Sequence, residues 1–174
     1  MIAENITEMI TMDKNTVYKK PETDEEIVGA KQLIVAYIQW LSQDLSFQNI
    51  DDELSTFPEK YSEPEGTFLI AKENNEIVGC VGIKKLENGI CEMKRLFVND
   101  RYRGNGTAKK LVEMIIEEAK LKHYERMRLD TLDTMKEALN IYRKNGFYEI
   151  ESYYNNPADG VIYLEKILQE MSSI

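Results

Sequence analysis

Between residues 94 and 110, Lys94, Arg95, Arg101, Arg103, Lys109 and Lys110 are opposed only by Asp100. Inside that basic stretch the chain reads Arg101-Tyr102-Arg103-Gly104-Asn105-Gly106-Thr107-Ala108. A glycine turn that opens a helix leaves backbone N–H groups unpaired and pointing outward, and the helix dipole adds positive potential there. Glycine also lets an anion approach the main chain closely, so the chemistry on offer is phosphate binding. Two other phosphate turns are excluded by spacing. A dinucleotide fingerprint needs a third glycine where Lys109 stands, and a P-loop needs G-K-[ST].

Such a turn needs a strand before it and a helix after it. Residues 90–98 read as the strand, and Ala108, Leu111, Val112, Ile115, Ile116 and Ala119 recur at helical spacing. Upstream, strands are expected over residues 67–71 and 77–86, with turns at Asn74-Asn75 and Asn88-Gly89 making an antiparallel meander. Downstream, residues 127–131 read as a short strand. Thr134-Met135-Lys136-Glu137 reads as a capping box for a helix through Ala138, Leu139 and Tyr142, ended by Asn145-Gly146. Residues 147–154 and 161–167 close the chain as a strand pair. At the front, Thr23-Asp24-Glu25-Glu26 caps a helix expected to reach about Leu45, and a short helix over residues 51–57 stops at Pro58. The first twenty residues lack periodicity apart from a short strand near residues 16–19, and poor order is expected there. The order implies one mixed α/β (α+β) domain over residues 1–174, with a strand–helix–strand crossover at its centre.

Composition narrows the function. The 174 residues carry 22 Lys+Arg against 31 Asp+Glu, a net charge of −9 that residues 1–87 supply in full. That balance argues against a nucleic-acid binder. The longest apolar run, residues 33–38, is far short of the roughly 20 residues of a membrane span. Nothing at the start reads as a secretion leader, and two free cysteines, Cys80 and Cys91, suit a reducing cytoplasm. With His123 the single histidine, neither a His-rich metal site nor a Ser-His-Asp triad is expected. Residues 44–65 hold seven acids against Lys60, a segment that would attract a cation.

Two motifs together carry a resemblance. Arg101-x-x-Gly104-x-Gly106 after Leu96-Phe97-Val98 resembles the acetyl-CoA-binding motif of the GNAT superfamily of N-acetyltransferases. Ala138-Leu139-Asn140-Ile141-Tyr142-Arg143-Lys144-Asn145-Gly146-Phe147 is similar to the same family's A-x-x-[LF]-Y-x-x-x-G-F helix. Residues 90–98 with Tyr153-Tyr154-Asn155-Asn156-Pro157 resemble an uncharacterised bacterial subgroup. The resemblance implies a central, mostly antiparallel twisted sheet flanked by helices, and transfer of an acetyl group from acetyl-CoA, by direct attack in a ternary complex and without a metal, to a primary amine of a small molecule. An amino acid or a derivative would suit both the acidic segment and a carboxylate-binding Arg95. The resemblance also admits a homodimer. A catalytically silent acyl-CoA sensor and a protein N-terminal acetylase are the other classes that share the motifs.

Roles follow from the resemblance residue by residue. Main chain at Leu96, Phe97 and Val98 would line the pantetheine arm, and amides across Arg103, Gly104, Asn105, Gly106, Thr107 and Ala108 would hold the pyrophosphate, with charge from Arg101 and Arg103. Tyr142 would protonate the departing thiolate, although it also lies on the apolar stripe of its helix, where packing alone accounts for it. Glu92 would be the general base, or simply a solvent-facing strand residue. Arg95 would be a cross-strand ion-pair partner or a bidentate clamp for a substrate carboxylate. Met135 departs from the pattern, since the family often has Asn there.

Overall fold

The computed structural model describes residues 15–42 and 48–169. Leu45, the expected end of the first helix, lies outside the described residues, as do Asp44 of the acidic segment and the first fourteen residues. Seven strands form one sheet: β1 (Thr16–Lys19), β2 (Thr67–Glu73), β3 (Glu76–Glu87), β4 (Ile90–Val98), β5 (Arg126–Leu132), β6 (Tyr148–Ile150) and β7 (Val161–Ile167). Their order is β1-β2-β3-β4-β5-β7-β6. Every neighbouring pair is antiparallel except β4 with β5. Among the described residues four α-helices occur: α1 (Asp24–Leu41), α2 (Ile50–Thr56), α3 (Thr107–Leu121) and α4 (Lys136–Lys144). The parallel pair exists because α3 carries the chain from the end of β4 back to the start of β5, the crossover expected of a strand–helix–strand unit.

The helices cover both faces of the sheet. Leu111, Val112, Ile115 and Ile116 of α3 bury against Cys91 and Met93 of β4 and Met127 and Leu129 of β5, with Leu139 and Tyr142 of α4 in the same cluster. Ala30, Leu33 and Ile34 of α1 pack on the opposite face with Phe57, Phe68, Ile70 and Phe97. Strand alternation therefore sends Glu92 and Lys94, and likewise Arg128 and Asp130, to the α1 side of the sheet.

Thr23 caps α1 as its sequence implies. Its Oγ1 accepts the Glu26 amide at 3.1 Å, and Glu26 in return accepts the N–H groups of Glu22 (2.9 Å) and Thr23 (3.4 Å). Glu26 also pairs with Lys19 and Lys72, each at 3.1 Å. The Glu22 amide and these partners hold its carboxyl down at about 2, against 4.5 ordinarily. Because the folded value lies below the unfolded one, this stabilisation is complete above about pH 4.5 and is lost as pH falls toward 2. Urea denaturation should therefore find Glu26→Gln less stable than wild type at pH 7, with the gap narrowing at pH 3.

Two expectations change at the other end of the chain. The capping box at Thr134 does not form: the N-cap of α4 is Met135, with no side-chain cap. Thr134 stands one residue too early, because Met135 N–H turns back onto Leu132 carbonyl (3.0 Å). The closing strand β6 also stops at Ile150, and Tyr153 and Tyr154 leave the ladder to bond the neighbouring strands through their hydroxyls.

Candidate active site

The parallel pairing of β4 and β5 is short. It covers Ile90 with Arg126, Cys91 with Met127 and Glu92 with Arg128, and beyond these residues the two strands part. On its other edge β4 carries a bulge. Cys80 faces Phe97 and Gly82 faces Lys94, so Arg95 and Leu96 share the single position opposite Val81. Arg95 adopts φ +61°, the left-handed region a non-glycine residue rarely visits. No sequence signal marks it.

Past the bulge, main chain on the β5 side is available to a ligand as an added strand. Asn99 N–H donates to Val78 (2.8 Å), so the N–H and C=O of Val98 face away from β3. The Val98 carbonyl is taken by Arg103 Nε at 2.8 Å. Arg103 is thereby turned back on the protein, stacked 4.7 Å over the Trp40 ring and paired with Asp100. Phe97 points to the α1 side, its ring centroid 5.5 Å from that of Tyr37. Arg101 stays exposed.

The turn that follows is shaped as the motif requires. Gly104 and Gly106 have φ of +80° and +87°, and a Cβ on either would meet nothing within 4 Å. The space over this helix start is therefore open, and α3 begins with no side-chain cap. Asn105 Oδ1 accepts from Thr107 N (3.3 Å) and Oγ1 (2.7 Å), which orders the turn from inside.

Where the strands part, a cavity of about 90 Å³ runs through the sheet. Its walls include Tyr37, Lys94, Arg95, Leu96, Asp130 and Tyr142. Tyr142 is almost wholly buried, and burial pushes its phenol far above the ordinary value. Among the described residues no fully buried side-chain N or O lacks a partner. Tyr142 is among the residues lining the cavity, and its Oη makes no hydrogen bond with the described residues.

Glu92 is not part of the cavity wall. It is buried on β4, with Oε2 accepting from Tyr153 Oη at 2.7 Å and Oε1 3.6 Å from Lys94 Nζ. It is therefore not the solvent-facing residue that sequence alone allowed. Arg95 borders the cavity, but its guanidinium turns to α2. Nε and Nη2 each lie 2.9 Å from Glu53 Oε2, and Nη1 donates to Gln48 at 2.9 Å. Of its two expected roles the structure supplies the ion pair, with a helix rather than across the strands. The carboxylate that does stand in the wall is Asp130, which sequence reasoning missed. Its Oδ2 accepts from Tyr154 Oη (2.5 Å) and Asn156 Nδ2 (2.7 Å).

Comparisons with known proteins identify the family. The profile of the acetyltransferase (GNAT) family matches residues 34–147. An uncharacterized N-acetyltransferase of Schizosaccharomyces pombe is 41% identical over 80% of this chain and 87% of its own. The chain belongs to the GNAT family of acetyltransferases. Among solved structures, a GNAT acetyltransferase of Staphylococcus aureus superposes with a TM-score of 0.73 at 23% identity, covering 88% of this chain and 99% of that one. A chain of the NatC complex bound to Gag peptide and CoA gives 0.68 at 29% identity, with the same coverage.

In this GNAT protein, whose co-substrate is acetyl-CoA, the turn at Gly104 and Gly106 is open, and past the bulge the β5-side edge of β4 is unpaired except where Arg103 takes the Val98 carbonyl. Met135, in place of the frequent family Asn, lines the cavity, and its sulfur accepts from Thr131 Oγ1 at 3.6 Å. Both cysteines are buried, and burial pushes each thiol up to about 12, so neither offers a thiolate at neutral pH. Gly106→Val would place a branched side chain over the helix start and force φ +87° on it, a strain of about 1–2 kcal/mol. Calorimetry should show acetyl-CoA affinity reduced at least about tenfold, the loss of one or two good phosphate contacts, with a modestly lower Tm. Unchanged affinity would place the pyrophosphate elsewhere.

Proposed function

We propose that this protein moves the acetyl group of acetyl-CoA onto a primary amine of a small molecule, by direct attack within a ternary complex. The observation that carries the reading is the cavity through the sheet at the parting of β4 and β5, with Leu96 and Tyr142 on its wall. Pantetheine lying along β4 would bring the thioester to this gap. The amine nitrogen attacks the thioester carbon, and the negative charge on its oxygen is held by main-chain N–H of the bulged strand. As the nitrogen–carbon bond forms the carbon–sulfur bond breaks, and the departing thiolate takes its proton from Tyr142 Oη. The proton lost by the amine passes to a carboxylate on the α1 side, Asp130 in the wall or Glu92 behind Lys94.

A small acceptor is favoured over a protein terminus by the β6–β7 loop. Tyr153, Tyr154 and Asn156 bind it to Glu92 and Asp130, which narrows the acceptor side of the cleft. The test is release of CoA thiol from acetyl-CoA over a panel of small amines, with the acetylated product identified by mass. Tight acetyl-CoA binding without thiol release on any amine would favour the sensor reading instead. For Glu92, kcat/KM of Glu92→Gln against pH is the measurement. A deficit that shrinks as pH rises is expected of a base, and a constant one of a residue that positions Lys94.

A further inference from the structure

The register that pairs Glu92 with Arg128 would, two residues on, set Lys94 opposite Asp130. Side chains in register on parallel strands share a face, and opposite charges placed so would ordinarily form a cross-strand ion pair. Here the strands have already separated. Both residues line the cavity, and among the described residues they form no salt bridge with each other. Each keeps unused capacity. Both hydrogen bonds to Asp130 fall on Oδ2, leaving Oδ1 without a partner among the described residues. The Lys94 ammonium has three donors, is largely buried, and makes no hydrogen bond with the described residues beyond its 3.6 Å approach to Glu92. Arg95 does not compete for an anion, because Glu53 neutralises it. The cavity thus presents one cation and one carboxylate held apart, on the side from which an acceptor would enter.

We propose that the acceptor is an α-amino acid or a close derivative, with its amino group donating to Asp130 Oδ1 and its carboxylate on the Lys94 ammonium. A ligand with both charges on one carbon bridges the gap that the parting strands leave. Its side chain would extend toward Tyr37 and Leu41, the apolar part of the wall. Tyr154 is a positioning residue in this arrangement, since it fixes Asp130 from outside the cavity wall, while Asn156 holds the same oxygen from within that wall.

The inference rests on the proposed acetyl transfer, and two measurements separate their failures. The first compares kcat/KM for the standard amino acids, their methyl esters and the corresponding decarboxylated amines. Amino acids should exceed both analogues. Lys94→Met should lower the preference for the amino acid over its decarboxylated amine, read as the ratio of their kcat/KM values, about 30-fold, and Lys94→Arg should restore part of that ratio. Equal losses on both substrates, or amines that serve as well as amino acids, would overturn the inference and leave acetyl transfer standing. The second is calorimetric titration of the same amino acids into the CoA-loaded protein. Binding that Lys94→Met removes, without any turnover, would uphold the recognition and overturn the proposed reaction. No binding and no turnover of any amino acid, with other amines acetylated, would overturn the recognition alone.

Discussion

Tyr142→Phe is expected to cut kcat about a hundredfold while acetyl-CoA affinity stays nearly unchanged. The lost group is one oxygen at the cavity, while the ring that packs 5.7 Å from Phe147 remains. General acids contribute roughly 10²–10⁴-fold, and the low end applies because the leaving thiol has a pKa near that of cysteine, about 8.5, and departs tolerably as a thiolate. Burial keeps the phenol protonated well above its ordinary range, so the proton is present at neutral pH while the donor is a weaker acid, a second reason for the low end of that range. The wild-type kcat profile should accordingly show no alkaline fall attributable to this tyrosine. Steady-state kinetics and acetyl-CoA titration on both proteins decide the matter. A fully active Tyr142→Phe would return Tyr142 to a packing role in the stripe of α4.

Glu53→Ala should be the most destabilising single change among those considered. Glu53 and Arg95 are both buried, and Tyr61 Oη also donates to Glu53. Removing the carboxylate leaves the Arg95 guanidinium charged and unpaired in the interior, a loss of about 3–5 kcal/mol. For a chain of this length that corresponds to a fall in Tm of roughly 6–20 °C. The charge-free pair Glu53→Leu with Arg95→Met should recover most of it, because such pairs often exchange for apolar groups at little net cost. Activity should not recover with stability. Arg95 holds the left-handed bulge of β4, and the pairing with Glu53 fixes the backbone that would take up the thioester oxygen. Thermal melts and thiol-release assays on the single and double variants separate the two effects.

Local patterns were enough for most of the scaffold. The apolar spacing of α3, the hairpin turns at Asn74-Asn75 and Asn88-Gly89, the Thr23 box and the glycine turn each depend on residues within one turn of one another, so they are written directly in the chain. The two motifs near Gly104 and Tyr142 also marked the family, and the crossover between β4 and β5 followed from their order. Features that join distant segments were not legible. That Glu53 rather than a substrate would claim Arg95 depends on α2 lying across β4, forty-two residues away in sequence. The bulge needs the register of β3 against β4, and nothing about an arginine signals φ +61°. Asp130 looked like one more polar residue on a short strand. Only the parting of β4 and β5 sets it across a gap from Lys94, and only the chain's return through Tyr154 and Asn156 fixes which of its oxygens is free. Sequence determines an element where the energy is local, in caps, turns and apolar periodicity. Charge placed in a cavity is settled by which segments the finished sheet brings together, as Lys94 and Asp130 are here across the gap between β4 and β5.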